Sequence, residues 1–537
     1  APPVTAAPVV TTSSGAPAPA LPQPTGEPPS MGASADHPSS HEDSGLKLVS
    51  ASDASDRAGA REPSGTKCAP GAPRRAVRLT ALSVDITLNR YLDHDPRGRM
   101  FALDEDIERV REEERRNAAA RAGSVEPAVS AGLQGDAIGP LVLRVRPGEC
   151  LRVALRNALE DGDAASFHLH GAGVRVLGGG PASASNPEAY AAPGATVTYE
   201  WQVPEDEPEG THYFHSVGNE REQVAHGLFG ALIVEPPGST WLDPRSGLPL
   251  RAGWDAVITQ PRGPSFREFT LIYHEVGDET YQVTTRDGSF APLVDPLSQA
   301  YRPGSRALNY RSEPFMHRLA LGTQRTGRVD ASLAYSSYAY GDPATPITRS
   351  YVGDPVKQRV LHGGSEVAHV HHVHGGSIRW RRQPGTEPTG FADGLDKHPP
   401  RVPEASERTD SQTLGPSEAF DVADECGSGG CQQSVGDLLY HCHIAHHYFA
   451  GMWGIWRVYN TLQDGIASTD TLPALHALPD RSGDTAPPAA VPAGALTGTT
   501  VDFHGARTAL TAANLPSFVE AQLPPAGVPK GYDASVW

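Results

Sequence analysis

The feature that most limits how this 537-residue chain can fold is the placement of its 22 histidines. Many of them gather in four short blocks, each at or near the end of a strand-like run: FHLHG at 167–171, HYFHSV at 212–217, AHVHHVHGG at 368–376 and YHCHIAHHYFAGMW at 440–453. Side chains two apart on a strand share a face. The spacing therefore sets His168 beside His170 and puts His441 and His443 on the face opposite Cys442.

The runs around these blocks alternate with period two. Val84, Ile86 and Leu88 fall on one face, and Leu151, Val153 and Leu155 oppose Arg152, Ala154 and Arg156, the pattern of half-buried strands. Runs at 197–203 and 228–234 complete an antiparallel β-sandwich ending near Pro237. A second set begins at the FTLIY run near Phe269, passes through 367–374 and 418–422, and ends at 453–459, giving a second sandwich. Between the first strands, residues 104–121 carry Glu, Arg and Ala at helical spacing and predict a surface helix held by opposite charges three and four apart. The expected organisation is a Pro/Ala/Ser-rich tail over 1–66, sandwiches over 67–238 and 239–460, and a Pro/Ala-rich extension over 461–537, both ends too poor in apolar residues to repay their ordering entropy.

A formal charge of −18 argues against a nucleic-acid or anionic-membrane surface, since both need clustered Lys and Arg. No run approaches the ~20 apolar residues that cross a bilayer. Five cysteines leave one unpaired if the others form disulfides. Cys426 and Cys431 bracket a flexible Gly-Ser-Gly-Gly, and Cys68 could staple to Cys150, which would leave Cys442; the competing reading is five reduced thiols in a cytosolic protein. Disulfides together with metal chemistry favour a secreted or extracytoplasmic location.

The fourth block is the most informative. A thiolate at Cys442, an imidazole at His447, a thioether at Met452 and one distant histidine can surround a single copper, and two His, one Cys and a long axial Met make a blue-copper electron-transfer site. His441 and His443, on the other strand face, can bind other metals while sharing Cys442's backbone, giving electrons a covalent route. Zinc is the chemical rival, but its closed tetrahedron has no use for a distant thioether. Taken alone, an H-x-H pair is as readily a satisfied polar face.

Together the four blocks resemble the multicopper oxidases, a family of laccases, ferroxidases and bacterial relatives. The third block matches H-x-x-H-x-H-G through His369, His372 and His374, and the fourth matches H-C-H-I-x-x-H-x-x-x-G-M; the resemblance covers roughly 75–460. It implies an all-β chain of two cupredoxin-like Greek-key β-sandwiches with irregular extensions at both ends. It also implies up to about four coppers. His369, Cys442, His447 and Met452 would hold type 1 copper, His168 and His372 type 2, and His170, His215, His374, His441 and His443 the type 3 pair. The implied reaction is one-electron oxidation of a phenol, an aromatic amine or a low-valent metal ion, coupled to reduction of dioxygen to water, with Cys442, His441 and His443 carrying the electrons. Similar two-domain oxidases are trimers whose clusters lie between chains, so a homotrimer, or assembly with a companion chain, is expected.

One position departs from the family pattern. Its second motif is H-x-H, but His215 is followed two residues on by Val217. His226 or His212 could substitute, with His226 preferred on loop position; a partner chain could supply the ligand; one copper could be three-coordinate or absent; or dioxygen reduction could be lost. His226 could equally be a histidine that orients a ligand without touching metal. Two readings compete with the oxidase: a blue-copper electron-transfer protein with a degenerate cluster, and an assembly subunit with vestigial histidines. Arg379, Trp380, Arg381 and Arg382 would rim the substrate approach or simply form a solvated strand end; His371 and His446 are expected in packing or at the surface, and His274, His317, His362 and His398 have no motif context.

Overall fold

Two β-sandwiches pack against each other through a hydrophobic cluster to which both contribute. The computed structural model describes residues 67–375, 378–382, 408–463, 472–488, 499–501 and 507–509, so the expected N-terminal tail, most of the C-terminal extension, His398 and the side chains of Arg379 to Arg382 lie outside the described residues. The first sandwich contains β1 (Arg74–Ser83), β2 (Ile86–Thr87), β3 (His94–Asp95), β4 (Arg99–Leu103), β5 (Leu141–Val145), β6 (Cys150–Ala158), β7 (His168–Leu169), β8 (Arg175–Val176), β9 (Thr196–Gln202), β10 (Gly210–His215) and β11 (Phe229–Val234), with helices α1 (Ile107–Arg121) and α2 (Glu220–Ala225). A five-stranded sheet in the order β4-β1-β6-β9-β8 faces a four-stranded sheet β5-β11-β10-β7.

The second sandwich runs through β12 (Thr240–Leu242), β13 (Asp255–Thr259), β14 (Phe266–Glu275), β15 (Arg306–Leu308), β16 (Ile347–Tyr351), β17 (Val356–His362), β18 (His369–Val373), β19 (Ile378–Arg382), β20 (Arg408–Thr409), β21 (Ser411–Leu414), β22 (Ala419–Asp424), β23 (Gly436–Cys442) and β24 (Trp453–Tyr459). Helices α3 (Phe315–Thr326), α4 (Ser337–Tyr340) and α5 (Ala445–Phe449) lie between its strands. One sheet is ordered β12-β13-β14-β17-β22-β19-β20 with β15 added against β14; the other is β16-β24-β23-β18-β21.

The antiparallel expectation needs correcting, because β1 with β6, β5 with β11, β14 with β17 and β16 with β24 are parallel pairs. These neighbours are far apart in the chain, and long connections, unlike tight hairpins, permit either direction. The helix expected at 104–121 is present as α1 after a single 3₁₀ turn, with the pairs Arg111–Glu114 and Arg115–Glu112 along it. It is more than a surface helix, since Val110, Glu113, Asn117 and Ala120 are buried.

Leu151, Val153, Phe167, Trp201, Phe214 and Leu232 fill the interior of the first sandwich. On the other face of its four-stranded sheet, Tyr213, Phe229 and Ile233 pack into one core with Leu271, Val360 and Val422 of the second. This double packing explains why every residue of β11, FGALIV, is buried: a strand covered on both faces reads as a continuous apolar run and not as an alternation.

Charges cross the same junction. Arg359 on β17 meets Glu268 at 2.8 Å, Glu209 at 2.6 Å and Asp421 at 3.1 Å, while Arg144 on β5 meets Glu268 at 2.8 Å and Glu235 at 3.2 Å. Burial and the neighbouring Glu268 push the Glu235 carboxyl well above the usual carboxylate range. A proton on Glu235 lets the set approach neutrality, which a buried cluster requires. Disulfides join Cys68 to Cys150 and Cys426 to Cys431, and Cys442 is free and buried.

Candidate metal centre

The backbone pairing of β18 with β23 builds the centre. His371 lies opposite Cys442 and His372 opposite His441, so the two strands present one pair of residues inward and the next outward. His369 and Cys442 are fully buried on the inner side, where His369 Nδ1 lies 3.1 Å from His447 Nδ1 and Cys442 Sγ lies 3.3 Å from His447 Nδ1 and 4.0 Å from His369 Nδ1. Helix α5 is the single turn that brings His447 back over Cys442. Gly451 then turns the chain into β24 at φ +126°, where a Cβ would come within 2.1 Å of Ser312 Oγ. Met452, fully buried, follows directly, and its carbonyl accepts from Cys442 N–H at 3.1 Å.

The outward residues of the same strands form a second group. His372, His374 and His441 have ring nitrogens within 4.8 Å of one another, with His374 Nε2 and His441 Nε2 3.3 Å apart. The His443 ring lies 5.0 Å from His372 and 5.2 Å from His441, centroid to centroid. His374 and His443 are exposed.

The first sandwich carries a third group. His168 on β7 pairs with His215 on β10, and His170 Nε2 lies 2.9 Å from His215 Nε2. All three histidines have nitrogens within 4.8 Å of each other. His168 and His170 are half-buried, so this group also reaches the surface. Among the described residues, the histidine–histidine ring contacts of these two groups run within each group.

Hydrogen bonds set the tautomers. A carbonyl can only accept, so a ring nitrogen bound to one carries the proton. His215 Nδ1 donates to the Ser216 carbonyl at 3.0 Å, His441 Nδ1 to that of Cys442 at 2.9 Å and His372 Nδ1 to that of Asp410 at 2.8 Å. Each therefore has its Nε2 lone pair free. The unprotonated Nε2 of His215 faces His170 Nε2 and that of His441 faces His374 Nε2, and backbone-fixed tautomers of this kind are how metal-binding histidines are oriented.

Burial first, and then neighbouring histidines, push His170 down to about 4 and His215 to about 3. Burial likewise lowers His369 and His441 to about 4 and His447 to about 3, so these rings are neutral at pH 7 and ready to coordinate. Burial raises the Cys442 thiol to about 11, so metal binding there must displace a proton. The donor set at Cys442 is soft and mixed; copper fits it.

His226 stands apart from these groups. Its Nδ1 is 2.7 Å from Asp95 Oδ2, and Tyr281 donates to the other oxygen of that buried carboxylate at 2.6 Å. His212 donates from Nδ1 to the His170 carbonyl at 2.9 Å and so props a member of the first-sandwich group. At Val217 the backbone N–H donates to Ser166 Oγ, leaving an aliphatic side chain where the family pattern has an imidazole. His371 is buried against Tyr273, whose hydroxyl lies 2.5 Å from Nδ1, and His446 is exposed. The centre also includes Glu275, whose carboxylate lies 3.0 Å from His369 Nε2. No motif marks it, because it arrives from β14, far away in the chain.

Residues 116–239 match the multicopper oxidase family model. A probable nitrite reductase-hydroxylamine oxidoreductase fusion protein from Kuenenia stuttgartiensis is 26% identical over 326 residues, covering 60% of this chain and 27% of the relative. The matched region thus spans about a quarter of that relative's length. Among solved structures, a multicopper oxidase aligns at 16% identity and TM-score 0.41 over 74% of this chain and 93% of its own. A copper nitrite reductase from Nitrosomonas europaea aligns at 14% identity and TM-score 0.40 over 72% and 94%.

Proposed function

We propose that this chain, whose residues 116–239 match the multicopper oxidase family model, is a copper oxidoreductase that takes electrons one at a time at Cys442 and delivers them to an oxygen-reducing cluster held by its histidine groups. Copper, when bound, supplies the one-electron couple at the thiolate and the acceptor-reducing centre at the imidazoles. The chain supplies the positions. Cys442 sits between His441 and His443 in sequence, so adjacent peptide units join the two sites.

The observation that carries the reading is seven imidazoles in two surface groups, His168, His170 and His215 on one sandwich and His372, His374, His441 and His443 on the other. A single mononuclear centre uses about three. Seven fit a polynuclear cluster, and each group by itself is incomplete and open to solvent. Two copies meeting head to tail would join a first-sandwich group to a second-sandwich group, and three such equivalent interfaces close a ring. A homotrimer is therefore part of the proposal, and an extracytoplasmic location fits the two disulfides. The reducing substrate is a small phenol, aromatic amine or low-valent metal ion.

A second reading rests on Val217. With only three imidazoles in the first-sandwich group, the cluster could be a mononuclear centre that reduces nitrite, the activity in the name of the Kuenenia relative. Both acceptors are tested together on copper-reconstituted protein supplied with a one-electron donor. Oxygen uptake is expected, with nitrite consumption at background and the V217H variant raising oxygen turnover without altering the thiolate band. Nitrite consumption without oxygen uptake favours the second reading, and reduction of neither acceptor leaves an electron carrier.

A further inference from the structure

Glu275 ends β14 almost completely buried, at 2% exposure, behind the Cys442 centre. Its Oε1 lies 3.0 Å from His369 Nε2 and accepts from Val367 N–H at 3.3 Å. The opposite ring nitrogen of His369, Nδ1, is the one that faces Cys442 and His447. Carboxylate and thiol thus flank one imidazole. With Nδ1 turned to a metal, Nε2 must carry the proton, and Glu275 is the acceptor within reach. The N–H is not fully aligned on Oε1, so the contact acts first as a charge and second as a hydrogen bond.

The alternative is that Glu275, His362 and His369, whose ligand atoms lie within 4.8 Å, form a separate metal site. His362 excludes this. Its Nε2 donates to the Val367 carbonyl at 2.6 Å and its Nδ1 accepts from Gly364 N–H at 3.0 Å, so both nitrogens are already used. The carboxylate is also tightly seated: a Cβ at Gly364 would fall 1.7 Å from Glu275 Oε2.

Resting on the copper reading of Cys442, we propose that Glu275 is a positioning residue for that centre, fixing His369 with Nδ1 toward the metal and, as a buried negative charge one imidazole away, favouring the oxidised state. Charges at this range in a low-dielectric interior interact strongly, and partners of this kind tune both ligand basicity and affinity.

The test is a spectroelectrochemical titration of the full chain reconstituted with copper, comparing parent, E275Q and G364A. E275Q keeps the side chain's shape and removes its charge; G364A keeps the charge and displaces the carboxylate. The expected result is a thiolate band in E275Q, with the oxidised-to-reduced equilibrium moved at least tenfold toward reduced copper, about 59 mV for a one-electron couple. A ratio within twofold of the parent overturns the proposal. If E275Q does not fold, G364A decides: a shift in the same direction supports the role, and an unaltered potential overturns it. A parent protein without the band fails in a different way, since that result removes the copper reading itself.

Discussion

Replacing Cys442 with serine is expected to abolish the thiolate-to-copper band and bring substrate oxidation to the background rate, while leaving the metal-free fold nearly as stable as the parent. The side chain is fully buried, with its sulfur 3.3 Å from His447 Nδ1 and 3.3 Å from Val370 N, so the smaller serine hydroxyl fits the same place without a clash and keeps polar partners within reach. A serine hydroxyl, however, does not ionise in this environment and offers copper no soft, redox-active donor. The histidine groups are untouched by the change and should still take up copper. Copper content by elemental analysis and a visible spectrum check this together. A C442S protein that retained the blue band would place the thiolate ligand elsewhere, and one that still oxidised substrate would show that electrons bypass Cys442.

The second large effect lies at the sandwich junction. Arg359 is 1% exposed and lies within 3.1 Å of carboxylate oxygens of Glu209, Glu268 and Asp421, with Glu235 at 3.8 Å. Arg359→Met keeps the apolar stem but leaves these carboxylates, among the described residues, with Arg144 and Lys357 as paired cations. Removing one partner of a buried ion pair costs about 3–5 kcal/mol, mainly because the remaining charge stays buried without compensation. R359M should therefore lower the midpoint of denaturant unfolding strongly, and more so at pH 8 than at pH 5, where the abandoned carboxyls can take up protons. A loss below about 1 kcal/mol, the value of an exposed pair, would mean that water reaches the network.

The sequence made the chemistry legible because copper ligands are confined to short, spaced blocks. Cys442, His447 and Met452 lie within one turn and one strand start, so their convergence follows from local geometry, and His369 joins them through the pairing of β18 with β23. Strand-like runs likewise fell on several of the longer strands, β6, β9, β11, β14, β18, β22 and β24 among them, while β1 and most of the short strands went unread. Strand direction escaped notice, since β1 beside β6 and β14 beside β17 depend on long connections that carry no local signal. The fully buried β11 hid its pairing because a strand packed on both faces loses its alternation. Long-range partners escaped for the same reason. Nothing near His226 in sequence reveals Asp95, and nothing near His369 reveals Glu275; both carboxylates are brought in by tertiary packing alone.

The most direct measurement of the central claim is copper stoichiometry, with visible and electron paramagnetic resonance spectra, on the full chain reconstituted with copper. The expected result is a thiolate-to-copper band together with a type 2 signal and about four coppers per chain, one at Cys442 and the rest shared among the histidine groups. A band with a single copper and no type 2 signal would contradict the cluster, leaving an electron carrier. Absence of the band would contradict the reading of Cys442 itself.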